Sequence, residues 1–231
     1  MAQLDTDALR RALAAPDREV TDFVRDPARK PVEVLQFLGV EPGMRILDLY
    51  AAGGYYTFIL ARAVGPGGHV YAQNTPRGLD YREDRQEISQ GEALANKIRQ
   101  GGLNNVSHLV QRLEQLDIVP GSLDGVLMAQ TLHDSYNSDP QRALAILLQM
   151  KTLLKPGGFI GITDHVGIPG MDNSSLHRME PEQAISLAEQ AGFEVSYSEL
   201  LRNSADDHRR SIFDPRLARN TDRFLLKLTL R

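Results

Sequence analysis

The stretch Arg45-Ile-Leu-Asp-Leu-Tyr-Ala-Ala-Gly-Gly-Tyr-Tyr-Thr-Phe-Ile-Leu-Ala-Arg-Ala-Val64 decides the fold. Ile46, Leu47 and Leu49 form a short apolar run that ends in the small-residue segment Tyr50-Ala-Ala-Gly-Gly54. From Tyr55 onward, Phe58, Ile59, Ala61 and Ala63 recur at helical spacing. The pattern predicts a strand, a tight turn and a helix. In open α/β sheets such a turn lies at the carboxyl end of a strand, with the free N–H groups of the following helix aimed at whatever binds there. Asp48, at the strand end, is placed to fix that turn or to meet a polar ligand.

Working outward, Gly65-Pro-Gly-Gly68 breaks the helix and residues 69–73 read as a second strand, with Asn74-Thr-Pro76 at its carboxyl end. The two strands are parallel and joined by a right-handed crossover. Residues 77–90 are charged and irregular, and a helix carrying Ala93, Leu94 and Ile98 runs to Gly101-Gly102. Strands are expected at 106–111, 122–129 and 159–163, with a polar tip at 130–138 and a long amphipathic helix from Asp139-Pro140 through Leu154. Asp164-His165 closes the fifth strand, a Gly/Pro/Asn/Ser loop follows over 166–180, and a helix spans 181–191. Strands at 193–200 and 223–230 are separated by a polar excursion with no clear helix, so they are expected to pair antiparallel at the sheet edge. Upstream, a helix over 4–14 ends at Pro16, and a second one, opened by Pro31 and ended by Gly39, is expected to lie against the ligand mouth. The alternation of strand and helix is that of a doubly wound parallel α/β sheet. Residues 1–40 are read as an N-terminal helical extension or cap and 41–231 as the main domain.

Composition narrows the function classes. In 231 residues, 26 Lys and Arg stand against 30 Asp and Glu, a formal charge of −4. That balance argues against broad attraction to nucleic acid or to an anionic membrane. No cysteine is present, so disulfides and thiolate metal sites are excluded. The first residues lack a basic start and an apolar core, and no apolar run approaches the ~18 residues of a membrane span. A cytoplasmic protein is the expectation, acting on a small-molecule substrate as a homodimer, with neither nucleic acid nor membrane as partner.

The chain resembles the class I S-adenosylmethionine-dependent methyltransferases. The resemblance rests on the Ile-Leu-Asp-Leu strand with its small-residue turn, Gly65-Pro-Gly-Gly-His-Val-Tyr71, Leu123-Asp-Gly-Val126 and Leu153-Leu-Lys-Pro-Gly-Gly158. More narrowly it is similar to a group of small methyltransferases marked by Gly54-Tyr-Tyr-Thr57, His133-Asp134, Asp164-His165, Leu176-His-Arg178 and Thr221-Asp-Arg-Phe224. The resemblance implies a seven-stranded sheet with an antiparallel last strand and S-adenosylmethionine as cofactor. It places the cofactor over Asp48, Tyr50, Ala52, Gly53 and Gly54, beside Tyr56, Thr57, Asn74 and Gln130. In the family, Tyr50, Ala52 and Gly54 stand where three glycines are usual, and Asn74 where a carboxylate binds the ribose. A third acid aligns with Arg112, which cannot accept a hydrogen bond; Glu114 is the nearest stand-in.

Methyl transfer needs alignment of nucleophile, methyl and sulfur, and removal of a proton when the acceptor is a hydroxyl. Histidines and carboxylates at the carboxyl ends of strands four and five suit that task. His133 is read as general base and His165 as second candidate, with Asp134 orienting. Asp164, His177 and Arg178 are read as substrate-binding, the last two on a lid. Adjacent residues of an extended chain point opposite ways, so each His/Asp dipeptide is expected to offer one side chain to the cleft. His133, His165, His177, Asp134 and Asp164 contain enough donors for a metal, but no fixed ligand spacing links them, and no metal is expected. The reading is therefore an enzyme that methylates an O- or N-nucleophile on a small molecule. The alternative is a methyltransferase-like binding protein that has lost the cofactor. A nicotinamide enzyme is disfavoured, since no G-x-G-x-x-G follows the first strand.

Overall fold

A computed structural model describes residues 3–16, 18–82 and 87–230. The elements in chain order are α1 (Thr6–Leu13), α2 (Val20–Phe23), α3 (Asp26–Arg29), α4 (Pro31–Leu38), β1 (Arg45–Leu49), α5 (Tyr55–Val64), β2 (His69–Asn74), α6 (Pro76–Leu79) and α7 (Gln90–Gln100). They continue as β3 (Val106–Val110), β4 (Leu123–Ala129), α8 (Leu132–Ser138), α9 (Pro140–Leu153), β5 (Leu154–His165), α10 (Pro181–Gln190), β6 (Phe193–Ser198) and β7 (Arg223–Leu230). The stretch 77–90, expected to be irregular, contains the end of α6, and its residues 83–86 lie outside the described residues.

The seven strands form one sheet in the order β3-β2-β1-β4-β5-β7-β6. β1 pairs parallel with β2 and with β4, so the winding reverses between β1 and β4 and opens a crevice beyond their carboxyl ends. β7 pairs antiparallel with β6, as expected, and also inserts antiparallel beside β5, which leaves β6 at the sheet edge.

Alternation along β1 separates the two layers. Leu47 and Leu49 face the core shared with Leu147 and Met150 of α9 and Leu187 of α10. Ile46 faces the opposite core, built with Leu35 and Leu38 of α4 and Ile59 of α5. Asp48 takes the α5 side too, where it meets Thr57.

The helix opened by Pro31 departs from expectation. Val34, Leu35 and Leu38 of α4 are buried, and α4 lies so close to β5 that a Cβ at Gly161 would come within 2.6 Å of Leu38 Cδ1. α4 is thus a sheet-covering helix. The ligand mouth is lined instead by α2, α3 and the turns beside them, including Glu19, Asp22, Arg25 and Arg29. This strap is fastened to the domain through buried polar contacts. Asp22 pairs with Lys97 of α7, Asp26 with Arg18, and Tyr55 of α5 donates its hydroxyl to Asp26 at 2.7 Å.

Candidate active site

The carboxyl ends of β1, β2, β4 and β5 open into a cavity of about 740 Å³, within the range usual for small-ligand sites. One end is formed by the turn after β1. Tyr50, Ala52 and Gly54 there have φ of 55°, 50° and 83°. These are the three positions the resemblance assigns to glycine, so the left-handed backbone is kept although two of them carry side chains. For an L-residue that conformation costs on the order of 1–2 kcal/mol.

Two amides offset the strain. Gln73 accepts the Tyr50 N–H at 3.1 Å and donates to the Gln111 carbonyl at 2.7 Å. Asn74 accepts the Ala52 N–H at 2.9 Å and donates to the Ala52 carbonyl at 3.1 Å. A carboxylate could not make the last of these bonds. Asn74 therefore borders the cavity, but its amide is committed to the turn, which accounts for an amide where the family places an acid.

Asp48 lines the cavity while being almost fully buried, and accepts from the Thr57 hydroxyl at 2.6 Å. Burial pushes its carboxyl up to about 7, against the opposing pull of Thr57 and Lys97. Tyr50, Ala52, Gly53, Tyr56 and Gln130 are wall residues. Thr57 and Gly54 are not: Thr57 stands behind Asp48, and Gly54 faces α7, where a Cβ would meet Leu94 Cδ1 at 2.6 Å. Neither Arg112 nor Glu114 reaches the cavity.

At the end of β4, Gln130 is held at φ 60°, with its N–H bonded to the Thr163 carbonyl at 2.6 Å and its Oε1 accepting from Arg29 at 3.1 Å. Its Nε2 and the neighbouring Thr131 hydroxyl are buried with no partner among the described residues. Orphaned buried donors on a cavity wall are the feature a polar ligand would satisfy. Sequence reading missed Thr131 and Arg29. Arg29 sat in the charged, Pro-punctuated stretch 25–31, and nothing local tied it to Gln130.

The other end of the cavity is built on α8. His133 and Asp134, expected in an extended tip, begin this helix, and both line the cavity. Asp164 holds the helix start from β5. One of its oxygens accepts the His133 backbone N–H at 2.9 Å, and the other accepts from His133 Nδ1 at 2.7 Å and from the His165 N–H at 2.8 Å. Asp164 is fully buried and no part of the wall, so it positions His133 rather than binding substrate.

His133 Nε2 lies 3.2 Å from Asp134 Oδ1, and the same oxygen is 3.2 Å from His177 Nδ1. Burial alone would lower the His133 pKa; Asp164 and Asp134 outweigh it and hold the ring at about 10. With Asp164 at Nδ1 and Asp134 at Nε2 both favouring the protonated ring, His133 is not poised at neutral pH to act as the general base the sequence suggested. His165 is the opposite case. It is buried, hydrogen-bonded through Nδ1 to the Thr221 hydroxyl at 2.7 Å, and pushed well below the usual imidazole range by burial, with Arg223 adding to the effect.

Arg178 is also reassigned. Its guanidinium is fully buried, bonded to both oxygens of Asp206 at 2.7 and 3.0 Å and to the Val166 carbonyl at 3.0 Å. It anchors the loop and does not reach the cavity; His177 beside it does, with φ 54° and its ring edge-on to Phe213 at 4.8 Å.

These features, a switch-point cavity over a left-handed turn in a 3-2-1-4-5-7-6 sheet, define the class I methyltransferase architecture. A family model described as "Methyltransferase domain" matches residues 40–206, and the chain belongs to that family, whose methyl donor is S-adenosylmethionine. The protein is similar to a demethylmenaquinone methyltransferase of Geobacillus stearothermophilus, 29% identical over 126 residues, which are 54% of this chain and 47% of that one. The chain thus spans about half the length of the curated relatives it matches. Among solved structures it resembles a SAM dependent methyltransferase from Aquifex aeolicus, with TM-score 0.62 and 21% identity over 98% of both chains. It also resembles the [4+2]-cyclase SpnF, with TM-score 0.63 and 20% identity over 94% of this chain and 85% of that one. The shared fold therefore does not by itself fix the reaction.

The donor's fit can be tested on the residues present. The turn retains the backbone conformation that close approach requires, the cavity is large enough, and unpartnered donors stand on its wall. The residues fit the group, with the ribose carboxylate replaced by a turn-locking amide.

Proposed function

We propose that the protein transfers the methyl group of S-adenosylmethionine to a hydroxyl or amine of a small-molecule acceptor. The observation that carries the reading is the single cavity joining the strained turn at Asp48–Gly53 to the His133, Asp134 and His177 cluster. When bound, the donor supplies a methyl already activated on a sulfonium. The chain's own part is to align the acceptor, exclude water and let the acceptor's proton leave.

Asp48 and Gln130 border the donor end. The rings of His165 and His177 give the acceptor end aromatic walls, while Tyr55 and Tyr56, packed edge-on with centroids 5.0 Å apart, line the cavity where α5 leaves the turn. A flat, hydroxyl-bearing acceptor suits such walls, and the quinone named for the demethylmenaquinone methyltransferase relatives shares the flat ring. Asp134, the most exposed member of the cluster, is placed to pass a proton to solvent. Among the described residues no helix is long and apolar enough to cross a membrane.

Calorimetric titration with S-adenosylmethionine and S-adenosylhomocysteine tests the donor half. Micromolar binding by the wild type, weakened at least tenfold in Asp48→Ala, is expected. No heat at millimolar ligand would refute the reading and return the cofactor-free alternative. With binding established, an acceptor screen by mass shift of one methyl group follows.

A further inference from the structure

Three side chains at the acceptor end converge in a way their sequence spacing did not reveal. His133 and Asp134 come from the first turn of α8, and His177 from the loop over 166–180. One ligand atom of each lies within 4.8 Å of the other two. Two edges of this triangle, His133 Nε2 to Asp134 Oδ1 and Asp134 Oδ1 to His177 Nδ1, are both 3.2 Å. Donors bound at ~2.0–2.1 Å to a first-row divalent ion stand roughly 2.8–3.0 Å apart in octahedral and roughly 3.3–3.4 Å apart in tetrahedral arrangement. The two edges lie between these spacings, within a few tenths of an ångström of each.

The second layer matches as well. A metal-binding imidazole almost always donates its other N–H to a carboxylate or carbonyl, which fixes the tautomer and the ring plane. His133 does so through Nδ1 to Asp164 at 2.7 Å, leaving Nε2 to the cluster. Asp164 is itself fully buried and fixed by two backbone N–H groups, so the ring cannot turn. On the open side, the Asp134 and His177 side chains are 63% and 39% exposed and face the cavity, which gives an ion an entry path and leaves positions for further ligands.

We propose that His133 Nε2, Asp134 Oδ1 and His177 Nδ1 bind a divalent transition-metal ion of the Zn²⁺, Fe²⁺ or Co²⁺ class, with Asp164 as the carboxylate behind His133. Two imidazoles and one carboxylate on one face are the donor set those ions favour over Mg²⁺ or Ca²⁺. This inference rests on the methyl-transfer reading for its role. The open positions would take the acceptor's oxygen, and the ion would lower the proton affinity of that oxygen. The acceptor O–H proton then leaves to solvent, the oxygen's lone pair forms the bond to the methyl carbon, and the methyl–sulfur bond breaks with its electron pair passing to sulfur. Atoms and charge balance without a histidine acting as base.

Co²⁺ titration of the full chain, previously stripped with chelator, tests the site through the ion's visible d–d absorption, and competition with Zn²⁺ gives the affinity. One equivalent bound at micromolar or tighter affinity is expected. His177→Ala, which changes only a half-exposed side chain, should weaken binding at least tenfold. Asp164→Asn should weaken it 10–100-fold, as loss of the carboxylate behind a metal-bound imidazole does. If Asp164→Asn fails to fold, Asp134→Ala replaces it with the same expected loss. No d–d spectrum at millimolar Co²⁺, or equal affinity in wild type and His177→Ala, overturns the proposal. S-adenosylmethionine binding is measured on the same samples. Donor binding without metal binding sinks this inference alone, and metal binding without donor binding sinks the methyl-transfer reading while the metal site stands.

Discussion

Replacing Asp48 by Asn probes the donor end most directly, because the structure gives the sign and the size of its effect. The Asp48 carboxyl is 2% exposed, and burial raises it from an ordinary value of 3.8 to about 7. Between those values the unfolded chain ionises and the folded chain keeps its proton, so the folded state loses stability as pH rises. The loss is absent below about pH 4 and complete above about pH 7. At ~1.4 kcal/mol per pH unit it reaches on the order of 4 kcal/mol, of which more than half accumulates between pH 5 and 7. Asn keeps an oxygen to accept the Thr57 hydroxyl and carries no charge to bury. The variant should therefore melt above the wild type, with a gap that widens from pH 5 to pH 7 and is flat beyond. For a chain of this length, ~2–4 °C per kcal/mol gives a widening of about 5–11 °C. Thermal melts followed by circular dichroism in ligand-free buffer across pH 5 to 8 provide the measurement. A gap that stays constant over that range would mean that Asp48 is ionised throughout, held so by Lys97, and would refute the assignment of a protonated acid at the end of β1.

Three further outcomes follow from the same structure. Ala52→Gly should stabilise the chain by about 0.5–1 kcal/mol in urea titration, because relief of the left-handed strain exceeds the entropy glycine adds to the unfolded state; destabilisation would show that the two amides have removed the strain altogether. Asn74→Asp should cost roughly 1–3 kcal/mol at pH 7, since the Ala52 carbonyl loses its donor, and a neutral result would show that the amide is not what secures the turn. Arg178→Met leaves the fully buried Asp206 without its guanidinium and should cost ~3–5 kcal/mol, with the double variant Arg178→Met/Asp206→Leu recovering much of it; no recovery would mean that the other acceptors of Arg178 matter more than the ion pair.

The strands were legible because the apolar runs of β1 and β4 follow Pro/Gly breakers and that of β5 follows Pro156-Gly-Gly158, which the strand itself includes; the antiparallel last strand came from the helix-free interval before it and from the family resemblance, not from a local pattern. The site was legible only where local pattern carries it. Tyr50, Ala52 and Asn74 could be aligned from sequence, yet the pairing of Asn74 with Ala52 across 22 residues could not. α8 was read as an extended tip because Leu132-His-Asp-Ser-Tyr-Asn-Ser138 has no apolar periodicity. Its start is secured by the Asp164 carboxylate, 31 residues away, accepting the His133 N–H. That is a capping bond supplied by tertiary structure, and local rules for helix starts look only a few residues back. The same limit explains Arg178, whose partner Asp206 lies 28 residues downstream. A Leu-His-Arg motif on a Gly-rich loop reads as a lid until a buried carboxylate is found to claim the arginine.

One consequence of that tertiary cap reaches into function. Asp164 makes its three bonds to two elements: the backbone and ring of His133 on α8, and the backbone of His165 on β5. Hence the orientation of the acceptor end is fixed by the last residues of a central strand, with 0% and 4% exposure at Asp164 and His165. Asp134 and His177, 63% and 39% exposed, are the less enclosed members, one on the first turn of α8 and the other on the loop that the buried Arg178 and the Val166–Met179 bridge tie to the domain. Rigid on the His133 side and compliant on the Asp134/His177 side, the cluster can keep one direction of approach toward the donor turn while accommodating acceptors of different outline. Substitutions at Asp164 should then lower turnover for every acceptor alike, whereas substitutions at His177 should change the ranking among acceptors. Measuring kcat/KM for two acceptors of different size in Asp164→Asn and in His177→Gln separates the two; a uniform loss in both variants would show that the cluster acts as one rigid unit.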